Sequence, residues 1–160
     1  MILTFGVLLC TFAMLLFSLS RWEKKRRRVE TLRFLSRLVR SVRTGVADYC
    51  TPLPRIFSSF SECGEEERAF LSELSANGVK TALDRYGDTL AIDEEDRKAV
   101  LEFFSACKTG YRGTVTTLCD TFLRALSERI DPLEGRLMSE LRLALLLPLT
   151  VGTLILLLFL

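Results

Sequence analysis

Histidine is absent from all 160 residues. That removes imidazole acid/base chemistry, Ser-His-Asp triads and His metal ligation together. Cysteine is sparse and scattered: Cys10, Cys50, Cys63, Cys107 and Cys119 form no CxxC pair and are odd in number. They read as small buried thiols, since a disulfide framework favours an even set and a structural zinc needs four ligands. No GxxxxGKS loop and no GxGxxG occurs, so the chain offers no recognisable nucleotide site. Strand-like alternation of useful length is also missing. An all-α chain without resident cofactor or metal is the expectation, and no catalytic residue is nominated.

What the chain does have is a sharp division of charge. Residues 1–20, "MILTFGVLLCTFAMLLFSLS", hold no charged side chain, and neither do residues 143–160, "LALLLPLTVGTLILLLFL". The first run contains eleven Leu, Ile, Val or Phe and the second thirteen. At roughly −0.3 to −0.6 kcal/mol for each, either run favours insertion by several kcal/mol. Each is long enough as a helix to cross a hydrocarbon core of roughly 30 Å. Two transmembrane helices, 1–20 and 143–160, are therefore expected to flank a domain over 21–142.

The cluster "SRWEKKRRR" follows the first run, whereas an export signal carries its positive charge ahead of the apolar stretch. Cations flanking a span stay in the cytoplasm. Arg136 and Arg142 before the second run put its start on that same side, so the expected topology is a cell-membrane protein with a cytoplasmic centre and both termini outside. Between Arg21 and Arg43 there are ten basic residues against Glu23 and Glu30; beyond lie twelve basic and eighteen acidic residues. A basic juxtamembrane segment suits anionic lipid, at about 1 kcal/mol per cation. The acidic balance of the rest argues against nucleic acid.

The central stretch reads as helices throughout. Leu32, Leu35, Leu38, Val39, Val42 and Val46 recur at three and four, continuing the first run as an amphipathic helix with Gly45 as its weak point. Thr51 before Pro52 is a helix start, with Ile56, Phe57 and Phe60 inward. Phe70, Leu71 and Leu74 mark a third helix stopped at Asn77–Gly78. A fourth runs from about Val79 to Leu90, with Leu83 and Tyr86 inward. Asp93 opens a fifth, faced by Val100, Phe103, Phe104 and Cys107 and broken at Gly110 and Gly113. Leu118, Phe122, Leu126, Ile130, Leu133, Leu137 and Leu141 form a stripe running into the last span, with Pro132 expected to kink or restart the helix. The fold expected is an antiparallel cytoplasmic bundle of five or six helices between two membrane anchors.

Three sets of residues are candidates for contact. Arg33, Arg37, Arg40 and Arg43 form the cationic side of the first amphipathic helix. Glu65, Glu66 and Glu67, and Asp93, Glu94, Glu95 and Asp96, form acidic turns that either meet a partner or complement helix dipoles. Gly6, Cys10 and Ala13 on the first span, with Ala144, Pro148 and Gly152 on the second, make small-residue strips suited to close helix packing.

The linear order of an apolar run, a basic helix, "TPLPRIF" at 51–57, "GDTLAIDEED" at 87–96 and a Leu-rich end resembles the stage III sporulation protein AB family over nearly the whole chain. Ala91 stands where that family's pattern has a glycine. The family's soluble part is similar to the cytoplasmic domain of the type II secretion F platform proteins. The resemblance implies a non-enzymatic membrane platform in a secretion-like channel complex between mother cell and forespore, with the soluble domain on the mother-cell side. It implies as partners the secretion-type ATPase, sporulation protein AA, and the other membrane proteins of the channel; a homo-oligomer stays open. The alternative reading is a membrane-anchored metal-dependent enzyme or regulator that uses the acidic turns.

Overall fold

The computed structural model describes the backbone of residues 2–158; the side chains of residues 2–5, 7, 8, 10, 11, 144, 145, 147, 149, 156 and 158 lie outside the described residues. Among the described residues there are six α-helices and no strand: α1 (Ile2–Ala47), α2 (Leu53–Ser59), α3 (Glu65–Ala76), α4 (Val79–Tyr86), α5 (Glu94–Thr109) and α6 (Arg112–Leu158). The chain divides into two compact units, a central one over Arg27–Ile130 and a terminal one joining Met1–Arg26 to Asp131–Leu160.

The central unit is a helical bundle with an apolar core. From α1, Val29, Leu32, Phe34, Leu35, Leu38, Val39 and Val42 are all buried. That is a wider stripe than a surface helix presents, so this part of α1 is the element on which the others pack. Phe34 meets Phe60 and Phe70 edge-on, with ring centroids 6.0 and 6.4 Å apart. Phe57, Phe103, Phe104 and Phe122 continue the aromatic core; Phe103 stacks on Phe122 at 4.6 Å. Such pairs add about 0.5–1.5 kcal/mol each beyond area burial. In α6 the buried phase is Val115, Cys119, Leu126 and Ile130, while Leu118 of the expected stripe is only half-buried.

Three local expectations are corrected. The N-cap of α2 is Pro52 rather than Thr51, and Pro54 occupies the first turn, where a missing N–H costs nothing. Helix α4 stops at Tyr86, and residues 87–91 form a turn in which Ala91 has φ of 51°. Gly113 does not break a helix; α6 begins at Arg112, directly after the turn at Gly110. Of the two outcomes expected at Pro132, a kink or a restart, the restart does not occur: α6 runs through both Pro132 and Pro148. Gly45 likewise stays within α1, where it serves contact: a Cβ there would lie 2.5 Å from Ile56 Cδ1, so its absence lets α2 close on α1.

In the terminal unit, Trp22 Nε1 donates to the carbonyl of Leu137 at 3.1 Å, and Lys25 Nζ pairs with Glu140 at 2.6 Å. The Arg26 guanidinium lies 5.7 Å from the centroid of the Trp22 ring. Pro148 and Gly152 are buried, while Gly6 and Ala13 are exposed; the side chains of Cys10 and Ala144 lie outside the described residues. Leu9, Phe12, Met14, Leu16, Phe17, Leu143, Leu146, Leu154 and Leu157 are each more than half exposed. Among the described residues no helix is long and apolar enough to cross a membrane.

Candidate functional site

The segment from Gly87 to Asp96 is fastened to α1 by three polar contacts. Thr31, buried in α1, donates its hydroxyl to the carbonyl of Leu90 at 2.5 Å. Arg28, one turn earlier, reaches Asp93 with Nη1 at 2.5 Å and Asp96 with Nη2 at 3.1 Å. Arg129 of α6 takes the other oxygen of Asp96. The Asp96 carboxylate is 3% exposed and thus spans α1, α5 and α6, whereas Arg28 Nε is buried without a partner. Buried carboxylates persist where hydrogen bonds and opposite charge replace water. Asp93 stands at the N-cap of α5 but makes no side-chain cap bond, because its carboxylate faces Arg28.

The acidic candidates therefore separate. Asp96 is internal and Asp93 is paired, while Glu94 and Glu95 remain exposed. Glu67 accepts the Gly64 amide at 2.9 Å, closing the start of α3 in half of a capping box, since Gly64 has no side chain to return the bond. Glu65 and Glu66 are exposed in the same first turn. Among the described residues no group of three or more Cys, Asp or Glu could hold a metal ion.

The four arginines of α1 separate too. Arg43 is held by Asp120 of α6, Nε to Oδ1 2.7 Å. Arg33 is exposed and engaged elsewhere. Arg37 and Arg40 are exposed, and no ion pair holds either among the described residues. Arg40 lines a basin of about 410 Å³ together with Ser41, Thr44, Gly45, Tyr49, Thr51, Ile56 and Ser59. Sequence reasoning found Arg40 and the "TPLPRIF" turn separately; their meeting depends on the close fit of Ile56 on Gly45, which no spacing rule displays. It also missed Arg28, Thr31 and Arg129. The i, i+3 relation of Arg28 and Thr31 on one helix face was the available signal.

An apolar groove of about 490 Å³ lies between α2, the α3–α4 junction and the end of α5, lined by Leu53, Phe57, Leu74, Val79 and Phe104 with Lys108 among its residues. Cys107 and Cys119 meet inside the bundle. The hydrogen bond from Cys119 holds the Cys107 thiol below its ordinary range although burial works against it, and donating that bond together with burial pushes the Cys119 thiol up. Cys50 is exposed and Cys63 half-buried.

Among the described residues the protein is all-helical, and its charged groups either staple helices to one another or stand exposed. The chain matches the model of the stage III sporulation protein AB family over residues 4–160 and belongs to that family, which ties it to spore formation. No curated protein and no solved structure matches it.

Proposed function

We propose that the chain is a non-enzymatic membrane platform of a secretion-like sporulation channel between mother cell and forespore, with its central unit on the mother-cell cytoplasmic face. The carrying observation is that Leu9, Phe12, Met14, Leu16 and Phe17 of the first run and Leu143, Leu146, Leu154 and Leu157 of the second are left exposed in the terminal unit. So many exposed large apolar side chains call for lipid or protein cover. The two uncharged runs are the proposed anchors, with Trp22 and the basic residues before Arg28 at their cytoplasmic boundary beside anionic lipid. Several positions of both runs lie outside the described residues.

The proposed cytosolic partner is the secretion-type ATPase, sporulation protein AA, with the other channel membrane proteins meeting the exposed apolar side chains. Asp93 and Asp96, engaged by Arg28 and Arg129, weigh against a metal-dependent enzyme built on that acidic turn. Affinity purification of the full chain from sporulating cells tests the reading. The expected result is a chain that resists alkaline carbonate extraction of membranes and brings the ATPase with it. A chain released by carbonate, or one that recovers no ATPase under crosslinking, overturns it.

A further inference from the structure

Five hydrogen-bond donors meet in the basin at the C-terminal end of α1, and none is committed. Arg40, Ser41, Thr44, Tyr49 and Thr51 line it, and among the described residues no hydrogen bond or ion pair engages any of their side chains. The sixth polar residue, Ser59, donates to the carbonyl of Ile56 and still offers its oxygen. No carboxylate lines the basin. Arg37, one turn before Ser41 on the same helix face, is exposed, and among the described residues no ion pair holds it.

Around this basin the surface is held in place. The amide of Thr51 donates to the carbonyl of Gly45 at 2.9 Å, returning the chain onto the end of α1. Cys50 takes a φ of 50°, and its sulfur accepts from Arg112 Nη1 at 3.5 Å, which ties this turn to the start of α6. Tyr49 and Tyr111, on the two turns so joined, are 76% and 88% exposed. Exposed tyrosine beside arginine is the composition that dominates binding energy at protein contacts. A planar guanidinium among hydroxyl donors suits a carboxylate, which it can grip with two parallel bonds.

We infer that the Arg40 basin, rimmed by Tyr49, is a docking site for an acidic segment of a partner protein, a side-chain carboxylate entering between Arg40 and the hydroxyls of Ser41, Thr44 and Thr51. The inference rests on the platform reading for the nature of its occupant. It narrows the arginine face to Arg40 with Arg37 in support, since Arg43 is already paired with Asp120 and Arg33 is engaged.

The test uses the full chain in nanodiscs of zwitterionic lipid, titrated with a fluorescent Glu-rich peptide and with the same peptide carrying Gln at every Glu. The expected result is saturable binding of the Glu peptide that weakens with salt and is not matched by the Gln peptide. Arg40→Glu should weaken it by about tenfold or more, Arg40→Lys less, and Arg124→Glu, an exposed arginine on α6, less than about twofold. Both charge reversals are at exposed positions, and circular dichroism verifies the fold. Equal binding of the two peptides, or an affinity untouched by Arg40→Glu, overturns the proposal. So does preference of the basin for anionic lipid, read as Arg40-dependent binding to anionic vesicles with none to the peptide. Loss of the basin with undiminished recovery of the ATPase from cells would leave the platform standing; loss of ATPase recovery with intact, Arg40-dependent peptide binding would remove the platform and keep the basin.

Discussion

Asp96 and Arg28 are joined across α5 and α1 at 3.1 Å, and the aspartate side chain is only 3% exposed. With Arg129 on its other oxygen, one carboxylate holds three helices. Removing it leaves two cations facing each other at the edge of the core. Such losses cost about 3–5 kcal/mol for wholly buried pairs. Both arginines are about a third exposed, which lets water recover part of that. Asp96→Ala is expected to lower stability by about 2–3 kcal/mol in denaturant unfolding, against less than about 1 kcal/mol for Glu140→Ala, whose partner Lys25 is half in solvent. Equal effects of the two substitutions would mean that Asp96 is not a staple.

Gly45 and Ile56 set the depth of the Arg40 basin. Gly45→Ala improves helix propensity by up to about 1 kcal/mol. It also drives a Cβ to within 2.5 Å of Ile56 Cδ1, and Ile56 is buried with little room to yield. Overpacking of this kind costs about 1–3 kcal/mol, so a net loss of about 1 kcal/mol is expected. Ile56→Val removes the crowded methyl, so the double substitution should be less destabilised than the two single effects summed. Strict additivity would show that the contact is not what limits the site.

Ala91 holds a left-handed backbone with φ of 51°. An L-residue bears about 1–2 kcal/mol there, and glycine removes that strain while gaining freedom in the unfolded chain worth about 0.4–1 kcal/mol. Ala91→Gly is expected to stabilise by about 0.5 kcal/mol and Ala91→Val to destabilise, since a branched side chain tolerates that region worst. A thermal scan in which glycine lowers the midpoint would contradict the assignment.

Much of the helical pattern was legible because burial writes itself into spacing. Leu32, Leu35, Leu38, Val39 and Val42 recur at three and four, and all are buried. Phe34 falls off that spacing yet is fully buried, because α1 is enclosed on a wider arc than a surface helix. The acidic run 93–96 was visible as charge but not as function: two of its carboxylates face inward or toward Arg28, and only the turn after α4 decides which. That turn depends on Ala91 in a conformation that alanine seldom announces. At Pro132 the sequence leaves a kink and a restart both open, because a proline within a helix removes one backbone bond without having to end the helix, and α6 runs through it.

The proposed platform has the helical unit bearing the Arg40 basin on the cytoplasmic face of a membrane. Cys50 is exposed on that unit, beside Tyr49 and Thr51. Treating intact protoplasts of non-sporulating cells that express the chain in their surface membrane with a membrane-impermeant maleimide, with Cys50→Ser as the blank, measures its side directly. Protection in intact cells and labelling after lysis, with the chain in the membrane fraction throughout, is the predicted result. Labelling of Cys50 before lysis would contradict it.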